Sequence, residues 1–199
     1  MNSCMPKKLI FIFLLISTSS LAKIDSLIKP QMRFSPTQIA NLKINASQYI
    51  KCTYGQPLKK GRIVFGNLVP FNQLWRTGAN EATELTVTSD FEIGSKQMKA
   101  GTYSLFTIPK EDKWTVILNS DLGLWGAFDY DSTKNVFAED FASSKTENDF
   151  EGFTISFEDR KEGTVMLMAW EQTLLVVPIK LIAKIEDEPK SKKKRKRRK

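Results

Sequence analysis

Trp75, Arg76, Asn80 and Glu81 fall within seven residues and carry the densest chemistry in the chain. Arg76 offers a planar fork of donors that fits a carboxylate or phosphate, and Asn80 both donates and accepts. Glu81 can polarise a hydroxyl or a water. Gly78 and Ala79 let a ligand or another stretch of backbone come close. The same residues have a structural reading, in which Arg76 pairs with Glu81 or Glu84 and ties an irregular loop to a sheet. A second group, Trp125 to Tyr130, offers a flat surface for stacking a sugar or another planar ligand. Aromatic side chains in such a loop more often plug the open end of a sandwich. Trp75 and Trp114 join it if the loops converge.

Other chemistries are closed or weakly signalled. Histidine is absent, which removes the commonest general base near neutral pH and the commonest transition-metal ligand. Asp129-x-Asp131-x-Thr133-x-Asn135, followed by Asp140, has calcium-loop spacing. It fails at the sixth position, where Lys134 replaces the glycine that the sharp turn needs. No metal and no cofactor is expected. Cys52 reads as a small buried residue on a strand rather than a reactive thiol.

The formal charge of +8 belongs to one end of the chain. Nine of the 30 basic residues lie in the last ten positions and two precede the first apolar run, which leaves 19 against 22 acidic residues. A nucleic-acid face spread over the domain is therefore not expected. The run Lys192, Lys193, Lys194, Arg195, Lys196, Arg197, Arg198 and Lys199 is either a solvated tail or a site for anionic polymers or lipid headgroups.

The first 22 residues have the layout of an export signal. Lys7 and Lys8 precede the apolar stretch Leu9 to Ile16, and Ser20-Leu21-Ala22 suits cleavage. The stretch is about half of the ~20 residues that span a bilayer, so no anchor is expected after removal. The expected compartment is periplasmic or extracellular.

The elements that must position these residues are strands. Tyr49 to Tyr54 alternates, and Leu85, Val87, Phe91 and Ile93 oppose Glu84, Thr86, Thr88, Asp90 and Glu92. Lys96 to Lys99, Tyr103 to Ile108, Trp114 to Asn119 and Phe153 to Phe157 continue the pattern. Ser35 to Asn45 suits an extended arm or an edge strand, and Val136 to Ala142 a further strand. Glu171-Gln172-Thr173 reads as a turn. Leu174 to Ile182 reads as a central strand buried on both faces, with Pro178 leaving one edge open. Eight to ten short strands without a long helix predict an all-β fold, an antiparallel β-sandwich or jelly roll. The expected organisation is a signal peptide over 1–22, an extended lead-in over 23–34, one sandwich domain over 35–183 and a disordered basic tail over 184–199.

Gly61-Arg62, Phe65 to Phe71, Trp75 to Thr83, Gly101 to Pro109, Trp114 to Ile117 and Trp125 to Asp131 agree in order and spacing with one family. Through these segments the chain resembles exported bacterial proteins catalogued as domain of unknown function 2911. The resemblance implies export and a β-rich domain, and implies no substrate. The basic tail and the short acidic stretch Glu139 to Asp149 depart from the family pattern. Three functions stay open. One is a non-catalytic domain binding a small polar or carbohydrate ligand at Trp75, Arg76, Asn80, Glu81, Trp125 and Tyr130. Another is a glycan hydrolase using Glu81 with Asp129 or Asp131. The last is a structural envelope protein without a ligand.

Overall fold

The computed structural model describes residues 31–182. The expected signal peptide, most of the expected lead-in and the basic run at the end lie outside the described residues. Alternation of apolar and polar residues produces nine strands: β1 (Thr37–Lys43), β2 (Tyr49–Gly55), β3 (Thr83–Val87), β4 (Phe91–Ile93), β5 (Lys96–Met98), β6 (Gly101–Pro109), β7 (Lys113–Asn119), β8 (Asn135–Arg160) and β9 (Gly163–Leu181). Their hydrogen-bonded order is β1-β2-β3-β6-β7-β8-β9-β4-β5, antiparallel wherever named strands pair. One turn of 3-10 helix, Ser132–Lys134, leads into β8.

β8 is what folds this sheet into a sandwich. Its first part pairs with β7, up to Lys113 opposite Ala142, and its remainder pairs with β9 from Ser143 opposite Leu175. The inward side chains of both halves share one core, which includes Ile50, Leu85 and Val116 from one half and Ile155, Met168 and Val177 from the other. Burying each such side chain contributes roughly 1.5–3 kcal/mol. Cys52 lies fully buried in that core as a free thiol, and burial pushes its pKa up, away from the reactive range.

Four expectations need correction. The alternating run from Glu84 to Ile93 is two strands, because β3 pairs with β2 and β6 whereas β4 pairs with β9 and β5. The odd-numbered positions stay buried through the crossing, Ser89 included, so the alternation is one and the strands are two. Glu171 to Thr173 is not a turn. β9 runs through it, with Glu171 at φ 50 absorbing an irregularity in the β8–β9 register. The last apolar run is buried on one face only: Val177 and Ile179 point inward while Pro178 and Lys180 are exposed. The strands are also not uniformly short, since β8 spans 26 residues and β9 spans 19.

Candidate functional site

The stretch Trp75 to Ala82 is held by its backbone on three sides. Trp75 exchanges hydrogen bonds with Thr107 of β6 at 2.7 and 2.9 Å, and Ala82 donates to Leu124 at 2.9 Å. On the third side the Ala79 N–H donates to the Gly55 carbonyl at the end of β2, 3.0 Å away. Glycine is required at that approach. A Cβ on Gly55 would stand 2.0 Å from the Ala79 carbonyl oxygen, and one on Gly78 would stand 2.9 Å from the Gly55 oxygen. The close approach expected at Gly78-Ala79 is thus backbone against backbone. Thr77 and Asn80 take positive φ, 54 and 65 degrees. Asparagine tolerates that conformation, whereas a β-branched threonine there is an outlier that stores strain. Thr77 is secured because its carbonyl accepts from Thr83 Oγ1 at 2.7 Å and its hydroxyl bonds Thr107 Oγ1 at 3.1 Å.

Between two buried neighbours, Trp75 and Thr77, the Arg76 side chain runs outward. It does not make the ion pair that a purely structural reading requires. Glu81 is taken by Arg33, whose Nη1 donates to both carboxylate oxygens at 2.5 and 2.8 Å. Glu84 accepts from the Gly123 N–H at 3.0 Å. Arg76 Nε is buried without a partner, and among the described residues no hydrogen bond or ion pair reaches the guanidinium. Burial without a counter-charge lowers its pKa from the ordinary value, but an arginine stays protonated under any physiological condition. The result is a half-buried, uncompensated cation.

Arg76 lines a cavity of ≈ 350 Å³ together with Arg62, Gln73, Ser35, Trp75 and Trp170 among others, and no carboxylate lines it. Its Nη1 also lies 3.8 Å from where a Cβ would stand on Gly126, which has φ 70 and so brings the aromatic loop close. The chemistry on offer is recognition of an anion with an apolar part, since Trp and aliphatic side chains supply the remaining walls.

The other sequence candidates divide. Asn80 donates to the Ser35 carbonyl at 3.2 Å, so its amide holds the segment before β1. Trp75 is buried among Trp114, Trp170, Phe65 and Phe153, its Nε1 donating to the Gly78 carbonyl. Neither Trp75 nor Trp114 joins an exposed platform. Tyr130 packs edge-on against Phe106 and its hydroxyl bonds Asn135, so it belongs to a small second core. Trp125 is exposed, as is its neighbour Phe128. Asp131 caps the 3-10 turn by accepting from Thr133, and among the described residues no three acidic or sulfur ligands gather as a metal site.

Arg33, Arg62 and Gln73 were not singled out from the sequence, whereas Phe128 lies within the Trp125 to Tyr130 group that was. Arg33 sits 48 residues from Glu81, a separation no local pattern reveals. Arg62 had a signal, a cation beside Gly61 at the start of an irregular stretch.

The model of the family described as Protein of unknown function (DUF2911) matches residues 35–179, and the chain belongs to that family. No curated protein and no solved structure matches the chain.

Proposed function

We propose that this member of the DUF2911 family is an exported, non-catalytic domain that binds a small organic anion, acidic sugars included, against Arg76. The observation that carries this reading is a cation without a partner beside a cavity that no carboxylate lines. A charge left half-buried costs folding free energy, and proteins retain such residues where a ligand supplies the missing partner. The outlying backbone at Thr77 lies next to it, and strain of this kind clusters at ligand sites. Export is supported by the layout of residues 1–22.

Catalysis by Glu81 is disfavoured. Its hydrogen bonds from Arg33 lower its pKa, whereas a glycosidic general acid needs a raised one. No carboxylate lines the cavity beside Arg76 to take its place as an acid.

Thermal shift against monocarboxylates, uronic acids and sugar phosphates, with neutral analogues as controls, tests the reading. A ligand at 100 times its Kd raises the melting temperature by about 5–10 °C, and Arg76→Met removes that shift. A shift that survives Arg76→Met, or a response to neutral analogues alone, overturns it. Mass analysis of protein from the culture or periplasm tests export, with a mature chain beginning at Lys23 as the expected result.

A further inference from the structure

The end of the sandwich that opens the cavity also carries three exposed large aromatic side chains. Phe34 is 89% exposed, Phe128 82% and Trp125 56%. Contacts tie all three to the cavity. Lys60 Nζ lies 5.4 Å from the Phe34 ring centroid, and Ser35, next to Phe34, lines the cavity with Arg62 and Arg76. Gly126, beside Trp125, has both the Phe128 ring and Arg76 Nη1 within 4 Å of its Cβ position. Trp125 pairs through its backbone with Glu81, which holds Arg33.

Cations are interleaved with this apolar rim. Lys60, Arg62 and Arg76 make no ion pair among the described residues. Of the neighbouring carboxylates, Glu81 is neutralised by Arg33 and Asp149 by Lys59, while Glu151, which accepts from the Lys60 N–H, and Asp129 beside Phe128 are outnumbered by the three cations. We infer that this end of the sandwich is a membrane-docking surface. Phe34, Trp125 and Phe128 enter the interfacial layer of an anionic phospholipid surface while Lys60, Arg62 and Arg76 meet its phosphates. Aromatic side chains partition to the headgroup region and basic ones are drawn by the surface charge. A sugar platform fits less well, because rings this exposed protrude instead of lining a cleft. The basic run Lys192 to Lys199 adds the second, electrostatic signal that stable surface binding requires. The inference goes beyond the anion site and does not depend on it.

The molecule contains its own reporter. Of its four tryptophans, Trp75, Trp114 and Trp170 are buried and Trp125 is exposed, so protection of tryptophan emission from an aqueous quencher on docking reports Trp125. The full chain is mixed with vesicles of phosphatidylcholine containing about 30% phosphatidylglycerol, at roughly 0.1 M salt where long-range charge effects are screened. The expected result is co-sedimentation, a blue shift and protection of Trp125 from acrylamide. Phe34→Ser combined with Phe128→Ser weakens partitioning about tenfold and leaves the emission of the free protein unchanged, which shows that the fold persists. Sedimentation without a change at Trp125, or unaffected by the double substitution, means that the tail alone binds and overturns the inference. Equal binding to pure phosphatidylcholine, no binding at all, or a blue shift with acidic polysaccharide but not with vesicles does the same. Titration of soluble anions without vesicles reads the cavity separately, so either proposal can fail alone.

Discussion

The aromatic cluster between the layers and the aromatic loop at the open end use the same residue types to opposite effect. Between the layers, Trp75 stacks on Trp170 with ring centroids 6.0 Å apart, and Phe65 lies 4.8 Å from Trp114. The Trp75 Nε1–H finds the Gly78 carbonyl and the Trp170 Nε1–H finds that of Glu151. Both of these indole N–H groups are matched, as a core demands. At the open end Trp125 and Phe128 face solvent, and Arg76 beside them has no counter-charge. One region keeps its tryptophans buried and pairs the indoles of Trp75 and Trp170. The other breaks the rules of burial and pairing within a few residues, where a function has reason to be.

Three substitutions sharpen that contrast. The largest effect is expected for Trp75→Ala, which empties the middle of the cluster and costs about 3–5 kcal/mol, read as a lowered urea midpoint. A loss under about 1 kcal/mol would mean that the cluster does not hold the layers together. Next is Arg76→Met. Removing an uncompensated, half-buried cation while keeping its stem leaves stability unchanged or raises it by about 1 kcal/mol. A clear loss would identify Arg76 as a structural residue and erase the difference between the regions. The smallest is Glu81→Gln, which breaks an exposed ion pair and costs less than about 1 kcal/mol at neutral pH. Because Arg33 depresses the Glu81 pKa in the folded state, that contribution is present above the ordinary carboxylate range, about 4.3. It disappears as pH falls through the lower folded value. The wild type and Glu81→Gln therefore converge in acid, and a difference that persists there would show the pair to be incidental.

Much of the scaffold was legible because strand geometry is local. Leu85, Val87, Phe91 and Ile93 announce a buried face by alternation alone, and that face survives the passage from β3 to β4. What alternation does not carry is the choice of partner, so one run became two strands in different halves of the sheet. Glu171-Gln172-Thr173 looked like a turn because polar residues interrupt an apolar run. The chain instead keeps pairing on either side and absorbs the irregularity at one positive-φ residue.

At the site, residue type indicated where chemistry was available but not which groups remain free. Arg76 and Glu81 are near neighbours of opposite charge, and proximity in sequence suggested a pair. The residue that claims Glu81 is Arg33, brought across by the segment that leads into β1. Arg76 is left facing the cavity as a consequence of that distant contact.

By itself, then, the sequence determined the all-β class, the strand faces, the lack of imidazole chemistry and the family, since each depends on residue type and short-range order. The tertiary structure alone decided which tryptophans are core and which is surface, which arginine finds a carboxylate, and where β8 folds the sheet over. Those outcomes depend on contacts between residues far apart in the chain, and long-range pairing is a property of the packed whole.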